Sequence, residues 1–127
     1  HSIRPLAARS PAVNKVLGDR INTWPTAVHP LVEVHPVTGA KALNVNANWT
    51  TEIQGVSREE GQLLLGFLLE HIKRPEFNVR FRWNLGDVAF WDNRTSLHCA
   101  IGDYNTKRIM KRVAFVGHKP RGPQDMQ

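Results

Sequence analysis

The sequence predicts a mostly β domain with one packed helix. Three observations carry this. Apolar and polar residues alternate with a period of two in several short runs, the pattern of half-buried strands. One stretch, "GQLLLGFLLEHI", repeats apolar residues at helical spacing behind a capping signal. The order is strands, helix, then strands again, which favours a mostly antiparallel sheet with the helix packed on it.

Taken in order, residues 1–28 form a lead-in segment broken by Pro5, Pro11 and Pro25, with a short helix expected around "AVNKVLGDRI". From His29 the pattern changes. "LVEVH" alternates as a strand does, "PVTG" supplies turn residues, and "KALNVN" reads as a second strand, so a hairpin is expected. Ser57 and Glu60 then make an S-x-x-E capping box, in which each residue satisfies a backbone N–H of the other. Leu64, Phe67, Leu68 and Ile72 follow at helical spacing. The helix should end near Lys73, because Pro75 biases Arg74 away from helical geometry. His71 lies in the last turn, where a histidine complements the helix dipole more readily than it binds metal.

After Pro75 the period returns to two. "NVRFRWNL" sets Val79, Phe81 and Trp83 against Arg80 and Arg82. "GDVAFWDN" reads as a short buried run after a Gly-Asp turn, "SLHCAI" as another strand and "GDYNT" as a turn. "KRIMKRVAFVGH" reads as a long last strand, and residues 122–127 as a polar tail. Between the lead-in segment and the tail, the strand-and-helix domain runs over residues 29–121.

Composition narrows the function classes. The chain has 127 residues, 41% of them apolar and 22% charged, which suits a globular domain rather than a disordered segment. Its single cysteine, Cys99, rules out an intrachain disulfide and a cysteine-rich zinc site, and fits a reducing cytoplasmic setting. No apolar run approaches the roughly 20 residues of a membrane span, and "HSIRPLAARSPAV" does not read as a signal peptide. No membrane partner is expected. A net charge of +6 attracts anions of any size. The basic residues Lys107, Arg108, Lys111, Arg112, Lys119 and Arg121 are not interleaved with aromatic stacking platforms, so no nucleic-acid partner is expected.

The chemistry-bearing residues lie in the last third. On the final strand Arg108, Met110 and Arg112 share a face by parity, the two arginines roughly 13 Å apart at about 3.3 Å per residue. A buried guanidinium needs an anionic partner, and its planar fork suits carboxylate, sulfonate or sulfate. The alternative is that both arginines are exposed or pair with internal Asp and Glu. His98 ends a short apolar run. The two-histidine, one-carboxylate iron site usually contains an H-x-D or H-x-E pair. None of the six histidines has an acidic residue two positions later, and Glu33 stands on the wrong side of His35. At most one ligand of such a site is present.

The string "FRWNLGDVAFWDNRTSLHCAIGDYNTKRIMKRVAFVGHKP", together with "HPLVEVHPVTGAKALNVN" and the capped helix followed by "KRPEF", resembles the C-terminal part of the TauD/TfdA family. These are taurine-dioxygenase-like enzymes that use Fe(II), 2-oxoglutarate and O2. The resemblance runs from His29 to Pro120. It implies the C-terminal half of a double-stranded β-helix, a jelly-roll barrel. It matches His98 with the distal iron ligand, Arg108 with the arginine that binds the far carboxylate of 2-oxoglutarate, and Arg112 with the arginine that binds substrate anion. Trp49 matches an aromatic residue that packs on substrate.

Three departures stand out. The turn from His98 to Arg108 is one residue shorter than in the taurine branch, which leaves Arg112 as a second candidate for 2-oxoglutarate. Asn44 replaces an aromatic residue, which implies a wider or more polar pocket. The H-x-D pair is absent. Half a jelly roll also exposes unpaired strand edges, which invites pairing with another chain or a second copy. The expected activity is therefore hydroxylation of a small anionic substrate, a sulfonate or sulfate ester such as taurine, by a protein of which this chain is an incomplete C-terminal portion. The alternative is a non-catalytic anion-binding module or a half-barrel completed by a partner.

Overall fold

A computed structural model describes residues 1–2 and 4–126. The described residues contain four α-helices and one sheet. The helices are α1 (Arg4–Arg9), α2 (Pro11–Leu17), α3 (Arg20–Thr23) and α4 (Arg58–His71); the strands are β1 (Val32–Val34) and β2 (Lys41–Leu43).

The lead-in segment is more helical than expected. Ser10 caps α2 by accepting the Val13 N–H, and Pro11 occupies the first turn, where its missing N–H costs nothing. Gly18 ends α2 at a φ of 47°, which a side chain would resist. Helices α1, α2 and α3 pack on one another. They are tied to the segment after β2: the Ser2 N–H donates to the Trp49 carbonyl at 2.6 Å, and the Arg9 guanidinium to that of Ala47 at 3.1 Å.

The hairpin forms as the alternation predicts. β1 and β2 pair antiparallel with Val32 opposite Leu43 and Val34 opposite Lys41. The turn closes through His35 and Ala40, and Gly39 supplies the positive φ of 70°. Glu33, Val34 and His35 are all buried, so β1 is covered on both faces. The reason lies at the other end of the sequence. The Val34 N–H donates to the Arg121 carbonyl at 2.9 Å, and the 3₁₀ turn Pro123–Met126 sits against β1. The polar tail is thus part of the hairpin's environment. The core around it is small: Ala7, Val34 and Val45 are the buried apolar residues among those described.

Helix α4 begins at the expected box. Ser57 Oγ accepts the Glu60 N–H at 3.2 Å, and the Glu60 carboxylate accepts the Ser57 N–H at 2.9 Å. These bonds hold the Glu60 carboxyl below its usual range. The helix ends at His71, and Pro75 opens a 3₁₀ turn. The His71 ring lies between Phe67 and Phe77. Replacing Ser57 by alanine should cost about 1 kcal/mol of local stability. Amide exchange in the first turns of α4 should then quicken about fivefold; unchanged exchange would show that the box is dispensable.

Two expectations are corrected. The helix is not packed on the sheet: among the described residues no other α-helix or strand lies against α4, and Phe67 is 66% exposed. An apolar stripe specifies a buried face but not the neighbour that buries it. The second correction concerns residues 78–85, 86–93, 96–101 and 107–118, which form no strand pairs among the described residues. Val79, Phe90, Val113, Phe115 and Val116 stand exposed along them. A strand exists only when a neighbour takes its N–H and C=O groups, and alternation alone supplies no neighbour. The fold is therefore not mostly β here. The Gly-Asp turn does form, with Gly86 at a φ of 89° and the Asn84 N–H on the Asp87 carboxylate. No helix among the described residues is long and apolar enough to cross a membrane.

Candidate functional site

His98 stands exposed on the segment after the loop 92–96, with its ring 5.1 Å from that of Trp91, centroid to centroid. It makes no hydrogen bond to another described residue, so both ring nitrogens are open to a ligand. Cys99 beside it is a free, exposed thiol. Arg108 lies over the Tyr104 ring at 4.9 Å, a cation–π contact that leaves its N–H fork free. Arg112 is exposed and pairs with no described carboxylate. The reading in which both arginines face solvent is the one observed. Nearby, Arg80 pairs with Asp103 and ties residue 80 to the turn before Arg108.

Trp49 lies elsewhere. With Ser2, Trp24, Pro25, Ala27, His29 and His1 it lines an open cleft of about 250 Å³. The rings of His1 and His29 are 4.9 Å apart there, and His29 Nδ1 is buried without a partner. Burial, then the neighbouring positive charges, pushes the His29 imidazole below its usual pKa. The cleft that Trp49 lines contains none of His98, Arg108 and Arg112.

A metal centre is likewise incomplete. Among the described residues no group of three or more His, Cys, Asp or Glu side chains converges. His98 fits iron as one nitrogen donor of a larger set, and no such set converges among the described residues.

The tightest polar cluster was not singled out by sequence. His35 Nε2 lies 2.9 Å from Asp92 Oδ2, joining residues 57 positions apart. Arg94 grips the same carboxylate through Nε at 2.8 Å from Oδ1 and through its terminal nitrogen on Oδ2. That grip, then the His35 bond, holds the Asp92 carboxyl well below the usual carboxylate range. Glu33 is buried two residues before His35, and burial outweighs the pull of Arg94 to raise its pKa. The one signal in the sequence was the acid-then-base spacing inside "WDNR", which cannot show the distant histidine.

The model of the taurine catabolism dioxygenase TauD, TfdA family matches residues 7–114. The chain belongs to the TauD/TfdA family. Among curated relatives, an alpha-ketoglutarate-dependent sulfate ester dioxygenase of Pseudomonas putida is 44% identical over 95 residues, which are 74% of this chain and 31% of that protein. An alkylsulfatase of Acinetobacter baylyi is 38% identical over 100 residues, 78% of this chain and 31% of that protein. An alpha-ketoglutarate-dependent 2,4-dichlorophenoxyacetate dioxygenase of a Burkholderia strain is 35% identical over 111 residues, 84% of this chain and 37% of that protein. This TauD/TfdA chain thus spans about a third of the length of the curated relatives it matches.

Proposed function

We propose that the protein carrying this chain is an Fe(II)/2-oxoglutarate-dependent dioxygenase that hydroxylates a small sulfate ester or sulfonate, taurine being one candidate. The observation that carries this reading is the family match over residues 7–114, which contains Trp49, His98, Arg108 and Arg112. The named activities of the relatives in Pseudomonas putida and Acinetobacter baylyi support the sulfate ester class. The relative that acts on an aryloxyacetate keeps a carboxylate substrate in view.

In this reading His98 supplies one imidazole to iron. Bound with 2-oxoglutarate, iron would let O2 divide between the two substrates: one atom hydroxylates the substrate carbon, and the other enters succinate as CO2 leaves. Arg108 holds the far carboxylate of 2-oxoglutarate through its planar fork. Arg112 binds the substrate anion, and Trp49 packs on the substrate's apolar part. Both arginines reach their anions without first breaking an ion pair, since neither is engaged by a described carboxylate. Hydroxylation next to a sulfate ester or sulfonate leaves an unstable product that releases sulfate or sulfite.

The same reading accounts for the exposed, unpaired segments after residue 78. They are half of a jelly-roll barrel, and the remaining iron ligands and partner strands belong to the rest of the protein. The incomplete ligand set favours, for these residues alone, a non-catalytic anion-binding half-barrel that a second copy could complete. The expected partners of the protein are small anions, with neither nucleic acid nor membrane, in a cytoplasmic setting.

The test is succinate release by the full-length protein with Fe(II), 2-oxoglutarate and O2. Alkyl sulfates or sulfonates should stimulate it at least tenfold over the substrate-free rate, about 1.4 kcal/mol in transition-state terms. Stimulation by aryloxyacetates alone would overturn the substrate class. No stimulation by any of these anions would overturn the activity.

A further inference from the structure

The His35–Asp92 bond joins the hairpin to the segment that carries His98. His35 directly follows β1 and is 8% exposed. Its Nδ1 accepts the N–H groups of Val37 at 3.3 Å and Thr38 at 3.0 Å. A ring nitrogen that accepts carries no hydrogen, so the ring hydrogen of the neutral form is on Nε2. Nε2 then donates to Asp92 Oδ2 at 2.9 Å. The direction of the bond follows from the turn geometry alone.

Asp92 passes this anchorage on. Its Oδ1 accepts the Arg94 N–H at 2.9 Å, and its carbonyl accepts the Ser96 hydroxyl and the Thr95 N–H. These bonds close a tight turn over residues 92–96. On one side of the turn is Trp91, whose Nε1 donates to Asn93 Oδ1 at 2.8 Å. On the other is His98, whose ring lies against that of Trp91. Arg94 also borders a small cavity with Glu33, so one guanidinium serves both the buried Glu33 carboxylate and the half-buried Asp92 carboxylate of this node.

We infer that His35 is a positioning residue. Through its Nε2–H bond to Asp92 it holds the Trp91–His98 segment on the β1–β2 hairpin and so presets where His98 presents its ring. The consequence for metal binding rests on the proposed role of His98 as a ligand. The anchorage itself does not.

Two substitutions separate the two ring nitrogens. In His35→Asn the amide oxygen can still accept from Val37 and Thr38 but the side chain is too short for Asp92. In His35→Gln the amide N–H reaches towards Asp92 while the turn loses its acceptor. Both are made in the full-length protein. Hydrogen exchange is followed over residues 92–98, with α4 as the internal reference, and Fe(II) is titrated anaerobically with 2-oxoglutarate by the visible band of the chelate.

The Asn variant should exchange about tenfold faster over 92–98 and bind Fe(II) about tenfold more weakly, the low end of what losing an outer hydrogen bond costs a metal site. The Gln variant should restore both to within about twofold. Unchanged exchange in the Asn variant overturns the inference. So does a Gln variant that behaves like Asn, because an N–H directed at Asp92 would then not be what holds the segment. Faster exchange with unaltered Fe(II) affinity overturns the link to His98. Wild-type protein that takes up no Fe(II) overturns the ligand assignment, and the exchange result still decides the anchorage. Should the variants unfold, the ¹⁵N shifts of His35 in wild-type protein decide it: an Nδ1–H tautomer overturns the inference, and Nε2–H supports it.

Discussion

Replacing His98 by alanine in the full-length protein is expected to remove the visible band of the Fe(II)–2-oxoglutarate chelate at iron concentrations that saturate the wild type. The effect should be large for a structural reason. His98 makes no hydrogen bond within the described residues and stands exposed with its ring beside that of Trp91. Its loss therefore leaves no buried group unpaired and opens no cavity in a core. What the variant loses is a donor atom. Removing even an outer partner of a metal ligand costs about 10- to 100-fold in affinity, so removing the ligand should cost more than about 100-fold. Thermal unfolding of the metal-free protein should hardly change. An unchanged band in His98→Ala would exclude this residue from the metal site, and a marked fall in stability without metal would reassign it to packing.

The parts of the fold that could be read from sequence are those whose determinants are local. The hairpin follows from the alternation in "LVEVH" and from Gly39, four residues on, at the positive φ its turn requires. Helix α4 follows from Ser57 and Glu60, each of which satisfies the other's backbone N–H. What alternation and spacing did not supply was the distant neighbour. The stripe Leu64, Phe67, Leu68 and Ile72 is real, yet nothing among the described elements covers it. The alternation around Val79, Phe81 and Val113 is equally real, yet these residues stay exposed and unpaired. A period of two states which side chains share a face, and it is silent on what lies against that face.

The site divides in the same way. Parity puts Arg108 and Arg112 on one face of a strand, but only the family resemblance gives them different ligands. The His35–Asp92 bond left no trace in any local pattern, because its two residues are 57 positions apart. "WDNR" was visible as a string. Its work, a carboxylate held by Arg94 on one side and His35 on the other, appears only once the chain is folded.

The second large effect concerns which arginine takes the cosubstrate. Arg108→Ala should raise the dissociation constant for 2-oxoglutarate by about 30-fold to several thousand-fold, the range for removing one partner of a hydrogen-bonded charge pair at 2–5 kcal/mol. Fe(II) affinity without 2-oxoglutarate should stay within about twofold, since no metal donor is touched. Arg108→Lys should recover only part of the loss, because an ammonium keeps the charge and not the two parallel N–H donors. Arg112→Ala should instead raise the Michaelis constant for the sulfate ester or sulfonate and leave that for 2-oxoglutarate within about twofold. The pair of variants matters because the turn between His98 and Arg108 is short. If the shorter turn moves the strand's register, Arg112 becomes the cosubstrate clamp and the two effects exchange: Arg112→Ala then weakens 2-oxoglutarate and Arg108→Ala does not. The present contact of Arg108 with Tyr104 bears on the outcome. A cation–π contact at an exposed site is worth about 0.5–1 kcal/mol, well below a bidentate carboxylate pair. 2-Oxoglutarate should therefore draw Arg108 away from Tyr104, and Tyr104→Ala should change the cosubstrate's dissociation constant by no more than about fivefold.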